Sequence, residues 1–371
     1  MISVENLRLA DIIVNYSCKI KKGEKILIES TTECSDLIRA IIAKTYEVGG
    51  LPFVRLVDEN IERSLLLGCS DEQMILESTH QATVMNNMDA YVGLRYKDNS
   101  YENSDVPQPN MDLYTKYIFG RVHKDIRVTK TKWVVLRYPS PSTAQKAEMS
   151  LEGFEEFYYN VCTLDYSKMS NAMNPLVALM EKTDKVRLIA NNTDLTFSIK
   201  DIPTIKCAGE MNIPDGEVFT APVRDSINGV ITYNTPSEYQ GFKFENIRLE
   251  FKDGKIINAT ANNNEKINKI FDTDEGARYV GEFAIGVNPY VTKAMCEILF
   301  DEKIAGSIHF TPGCCYDNAS NGNKSDIHWD LVLIQTPEYG GGEIYFDDVL
   351  IRKDGLFVLP ELEYLNPENL K

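Results

Sequence analysis

The first half of the chain keeps one rhythm, and it restricts the fold more than any other feature: short β-rich runs alternate with segments long enough for a helix. Residues 25–30 (KILIES) form the first run. A helical pattern over 35–48 ends at Gly49-Gly50, and 52–57 (PFVRLV) follows as the next strand. Residues 71–87 are helical in pattern, 90–96 (AYVGLRY) and 132–138 (KWVVLRY) are strand-like, and 185–190 (KVRLIA) continues the series after helical segments between 151 and 182. Strands separated by helices imply βαβ units, and hence a mostly parallel sheet covered on both faces.

Near residue 190 the texture changes. Short strands with turn signals take over, including 194–200 (DLTFSIK) and 247–259, where Asp253-Gly254 separates two alternating runs in the manner of a hairpin. A second hairpin is expected over 343–357 with Asp354-Gly355 near its turn, and helical pieces near 265–271 and 291–299. The expected architecture is therefore an α/β N-terminal domain with a mostly parallel sheet, residues 1–190. An α+β C-terminal catalytic domain rich in antiparallel strands, residues 191–371, follows it. A length of 371 residues suits two domains, at roughly 100–200 residues each.

Composition then removes whole classes of function. With 39 basic and 55 acidic residues the formal charge is −16, so the surface repels phosphate backbones and nucleic acid is not an expected partner. No run reaches the about 18 apolar residues that span a membrane, and the N-terminus lacks the basic start and apolar core of a signal peptide. Eight scattered cysteines form no CxxC framework, which fits a reducing, cytoplasmic setting. Cys314 and Cys315 read as buried thiols, because adjacent cysteines ligate one ion poorly. GxxxxGK[ST], GxGxxG and GxSxG motifs are all missing from the sequence.

The chemistry concentrates in the second half. Of four histidines, His80 and His123 lie in polar helical stretches and read as structural. His328 belongs to the β-like run IHWDLV, whose alternation puts His328 and Asp330 on one face and Trp329 on the other. An imidazole beside a carboxylate is a ready pair of metal ligands. His309 lies near the end of the run 304–310 (IAGSIHF). Glu217 follows the turn Pro214-Asp215-Gly216, and Glu282 sits among apolar residues in YVGEFAIGV. A carboxylate in such surroundings costs several kcal/mol unless a cation or a set of hydrogen bonds compensates.

At these same positions the sequence resembles the metallo-aminopeptidases of the aminopeptidase T type. The matching segments are NIPDGEVFTAP (212–222), GARYVGEFAIG (276–286), DEKIAGSIHFTPG (301–313) and KSDIHWDLV (324–332), in the family order. The resemblance implies that Glu217, Glu282, His309, His328 and Asp330 bind two divalent cations (zinc, cobalt, manganese or magnesium) and that Tyr316 is catalytic. It also implies a homodimer acting on peptides with a free N-terminus. The segment FTPGCCY departs from the aliphatic stretch common in the family, and the departure is expected to reshape the loop carrying Tyr316.

The implied chemistry is hydrolysis by a water activated between two metals, with Glu282 as the bridging ligand and Tyr316 stabilising the oxyanion. Two other readings use the same residues. A mononuclear iron oxygenase would take His328, Asp330 and His309 and leave both glutamates surplus. A metal-stabilised peptide-binding protein would need no tyrosine.

Overall fold

Four of the β-rich runs in the N-terminal half become strands: β1 (Lys25–Ser30), β2 (Leu51–Leu56), β3 (Ala90–Arg95) and β4 (Lys132–Arg137). The computed structural model describes residues 2–371. Two units are distinct in it, one made of 1–163 with 209–213 and the other of 164–208 with 214–371. The boundary expected from sequence is 190/191.

In the first unit the sheet order is β2-β1-β3-β4 and then the short strand Asn212–Ile213, with every pairing parallel. Parallel strands need crossovers, and helices such as Ser35–Glu47 and Asp71–Met85 supply them. Ser35–Glu47 buries Leu37, Ile38, Ala40 and Ile41, one stripe at helical spacing. It ends where Gly49 takes φ +79, a left-handed conformation that residues with a Cβ avoid. Interior strand β3 is buried from Ala90 to Leu94, as a strand covered on both faces should be. Edge strand β2 instead leaves Leu51, Phe53, Val54 and Leu56 exposed.

The second unit contains two larger antiparallel sheets and a two-stranded antiparallel ribbon, Ser237–Tyr239 with Phe242–Phe244. One has eight strands and includes Lys185–Ala190, Thr193–Ser198, Arg248–Lys252 and Lys255–Thr260. The other runs Val332–Ile334, Ser307–Pro312, Val280–Gly286, Glu217–Thr220, Ile205–Cys207. Rings from both sheets meet in the core: Phe197 lies 5.0 Å from Phe283 and from Phe310, centroid to centroid. The expected fold class, a parallel α/β half and an α+β half rich in antiparallel strands, is the one observed.

Four local expectations need correction. Lys185–Ala190 does not continue the parallel series; it pairs antiparallel with Thr193–Ser198, because Asn191-Asn192 closes a two-residue turn with Asn192 at φ +53. Asp354-Gly355 turns the last pair, Val349–Lys353 with Leu356–Phe357, while the preceding turn falls at Asp347-Asp348. The only helical turn in 291–299 begins at its end, Ile298–Asp301. Finally, His328 makes only an isolated bridge to Gly313, and regular strand begins at Val332.

Candidate metal centre

Period-two alternation gives the five-stranded sheet of the second unit two unlike faces. Phe283, Ile285, Ile308 and Phe310 point to the phenylalanine core. The opposite face carries Glu282, Ala284 and Gly286 along one strand, with Thr311, His309 and Glu217 as their respective cross-strand partners. Ala284 and Gly286 keep this face open between the larger polar groups. Glu217 enters through the turn at Gly216, whose φ of +137 suits glycine and whose Cβ would lie 3.0 Å from Asn288.

The polar groups converge. Glu282 is buried, with Oε1 3.2 Å from His309 Nε2 and Oε2 3.3 Å from His328 Nε2. His328 Nε2 is also 3.2 Å from Asp330 Oδ1, and Glu217 Oε2 is 3.5 Å from His309 Nε2. Asp330 Oδ1 accepts a hydrogen bond from Thr311 Oγ1 at 2.8 Å. The donor atoms of Glu282, His328 and Asp330 lie within 4.8 Å of one another, and those of Glu217, Glu302 and His309 do likewise. All five expected ligands thus gather in one cluster with two lobes, and the Glu282 carboxylate reaches into both.

The cluster fits a metal on the chemistry of its donors. Oxygen ligands with two imidazoles suit hard-to-borderline divalent ions. His328 Nδ1 lies 2.7 Å from the Cys314 carbonyl oxygen, to which it donates, leaving Nε2 to present a lone pair. Although two carboxylates approach it, that Nε2 makes no hydrogen bond, and Glu217 Oε2 and His309 Nδ1 are likewise buried without one. The surrounding carboxylates set the basicity of the two histidines. Burial lowers both pKa values. Asp330 and Glu282 nevertheless push His328 up to about 12, and Glu217 and Glu282 push His309 up to about 9.

Two residues of the cluster were missed in the sequence. Lys303, 1% exposed, pairs with Glu217 and Glu302 at 2.7 Å each and with Asp215 at 3.5 Å. Burial pushes the Glu302 carboxyl up to about 8. Asp301-Glu302-Lys303 resembles a solvated charge run; the available signal was its position immediately before an apolar strand. Tyr316 lies beside the cluster, its ring 4.9 Å from that of His328 and 5.5 Å from that of Phe219, and it remains 48% exposed. Trp329 points away from the cluster and stacks on Tyr239 at 4.7 Å. Cys314 and Cys315 are half-buried rather than buried, and neither joins a potential ligand group among the described residues. His80 is exposed on its helix, whereas His123 is buried.

Residues 4–343 match the model of a family described as thermophilic metalloprotease (M29). The chain is 24% identical to aminopeptidase AmpS of Bacillus subtilis (strain 168), over 87% of each chain. It is 23% identical to aminopeptidase 2 of Geobacillus stearothermophilus over 94% of each, and 22% identical to aminopeptidase T of Thermus aquaticus over 93% of this chain and 95% of that one. Among solved structures, wild-type AmpT from Thermus thermophilus has the same fold, with a TM-score of 0.80 at 20% identity, covering 95% of this chain and 99% of that one.

Proposed function

This chain belongs to the thermophilic metalloprotease (M29) family, a family of hydrolases, and we propose that it is an aminopeptidase working with two divalent cations held by Glu217, Glu282, His309, His328 and Asp330. The observation that carries this reading is the Glu282 carboxylate, with one oxygen directed to each histidine. A mononuclear iron site would use one lobe and leave the other unexplained. Charge supports the pair as well. Asp215, Glu217 and Glu302 face one buried lysine while Glu282 and Asp330 face His328, and cations in both lobes offset the negative charge that the lysine leaves when the histidines are neutral.

When bound, such ions supply a water acidic enough to ionise near neutral pH and polarise the scissile carbonyl. The protein's own groups do the rest. Glu282 joins the two lobes, and Thr311 fixes the Asp330 carboxylate through its hydroxyl. The Cys314 carbonyl holds the His328 ring in one tautomer. Lys303 orients Glu217 and Glu302 from beneath. The Glu302 carboxyl, made less acidic by its burial, can take and return the proton that moves from water to the leaving amine. The surrounding carboxylates keep the Tyr316 hydroxyl protonated, and it donates to the developing oxyanion.

The substrates are peptides with a free N-terminal amine. We further read the protein as a cytoplasmic homodimer. No disulfide joins the described cysteines, which fits a reducing compartment. The exposed apolar side chains of edge strand β2 supply a surface for a second copy. Among the described residues no helix is long and apolar enough to cross a membrane.

The test is to strip the protein with chelator, add back zinc, cobalt, manganese or magnesium, and follow release of N-terminal residues from short peptides. The expected result is two ions per chain and cleavage restored only by metal, with N-acetylated peptides left intact. Restored metal without cleavage of any free-amine peptide would discard the aminopeptidase reading. A single bound iron would favour the oxygenase.

A further inference from the structure

In the first unit a polar cavity of about 390 Å³ opens at the carboxyl ends of β1, β2 and β3. From β1 the chain passes outward to β2 and then back across β1 to β3, so the direction of winding reverses between β1 and β3. In open parallel sheets that is where ligands settle, in the crevice outside the strand ends.

Polar side chains already arranged by their neighbours line this crevice. Glu29, 4% exposed at the end of β1, accepts from Tyr91 Oη at 2.8 Å, Arg95 Nη1 at 2.9 Å and Arg55 Nη1 at 3.1 Å. Its charge is thereby matched inside the cavity wall. Arg127 and His123, both on the helical segment Thr115–Val128, are 9% and 7% exposed. The Arg127 guanidinium lies over Trp133 at 4.4 Å and Tyr91 at 5.5 Å, contacts that hold its plane through its face and leave its edge unused. Its Nε and Nη1 are buried without a hydrogen bond, and so is His123 Nδ1. Thr31 Oγ1, Gln81 Oε1 and Asn103 Oδ1, on the same cavity, are in the same condition.

Leaving one buried polar group unsatisfied costs about 1–3 kcal/mol, and close packing does not place six such atoms around one cavity by default. Arg127 supplies fixed donors and a charge without a carboxylate partner among the described residues. The amide and hydroxyl oxygens ask for donors in return.

We propose that this cavity is a binding site for a small oxyanion, a carboxylate or a phosphate, that also carries hydroxyl or amino donors. Arg127 and His123 hold the anionic end, and Gln81, Asn103 and Thr31 meet the donor groups. The site is composed of first-unit residues alone and does not depend on the peptidase reading.

The experiment is calorimetric titration of the metal-loaded full chain with lactate and with glycerol 3-phosphate, repeated on Arg127→Met and Gln81→Leu. Saturable binding of one ligand per chain is expected, weakened at least about tenfold by either substitution, since a charged hydrogen bond contributes that much. Ligand-free Arg127→Met should melt no lower than wild type, because it removes a buried charge whose Nε and Nη1 make no hydrogen bond while methionine keeps apolar contact with Trp133 and Tyr91, and its peptidase rate should be unchanged. Binding of lactate alone assigns the site to hydroxy acids, and of glycerol 3-phosphate alone to phosphate esters. Binding of neither, or binding undiminished in both variants, overturns the site.

Discussion

A buried histidine is distinguished as ligand or core residue by what its two nitrogens meet. For His328 one nitrogen is fixed on the Cys314 carbonyl and the other faces two carboxylates without a hydrogen bond. His328→Ala and Asp330→Asn should therefore each lower metal content and peptidase activity together, read by metal analysis of purified protein; full occupancy in both would remove them from the ligand set. Tyr316→Phe should keep the metal and lose turnover by about 100- to 1000-fold, the scale of one oxyanion donor, and unchanged kcat would eliminate the tyrosine. Glu29 belongs to a different kind of site. Burial pushes its pKa up, but Arg95 and Arg55 outweigh burial and hold it at about 2, against 4.5 for an ordinary glutamate. That separation corresponds to about 3 kcal/mol of stability. A depressed native pKa stabilises above the unfolded value, so the contribution is present at neutral pH and fades as pH falls from 4.5 towards about 2. Urea denaturation across that range should show Glu29→Gln less stable at pH 7 and less sensitive to acid; equal acid sensitivity would refute the pairing. At this scale His309, His328 and Asp330 were legible because an imidazole or a His-x-Asp pair in an apolar β-run is rare. Lys303 was not: a lysine between acidic neighbours looks solvated, and only the tertiary structure shows it 1% exposed.

Secondary elements were legible wherever turn chemistry marked their ends. Asp253-Gly254, with φ +48 and +82, closes the hairpin that its sequence announces. The direction of pairing was less accessible, because apolar alternation tells a strand which face to bury and not which neighbour to choose. Asn191-Asn192 was the one local clue that Lys185–Ala190 turns straight back. Around the candidate metal centre, backbone proximity is tighter than any pattern conveys. A Cβ on Gly281 would lie 2.3 Å from the Cys314 carbonyl oxygen, beside the register shift that precedes Glu282. Both partners there are backbone, so Gly281→Ala must push apart the strand bearing Glu282 and the segment that holds His328. Overpacking of this kind costs about 1–3 kcal/mol, and the expected outcome is a lower melting temperature with reduced metal content. A variant that binds metal as wild type does would show that the segment has slack.

For the molecule as a whole, the β2 edge yields a direct expectation. Val54→Lys adds a charge beside exposed Leu56 on one face of the strand and should convert the proposed dimer to monomer in light scattering, with the fold retained by circular dichroism. A dimer of unchanged stability would move the proposed interface elsewhere, and a monomeric wild type would overturn the homodimer. The two-part architecture was legible from the change of texture near residue 190. The path of the chain between the parts was not, since Asn212–Ile213 is too short to read as a parallel strand added to β4. After 164–208 have contributed to the second unit, 209–213 return to the first, and Glu217 follows four residues later. No single cut separates the two units. A fragment starting at residue 164 would retain every proposed ligand yet strip the Asn212–Ile213 strand, just upstream of Glu217, of its only sheet neighbour among the described residues. The half that bears the proposed ligands is thus not a transplantable module: circular permutation could relocate the ends of this protein, but truncation could not halve it.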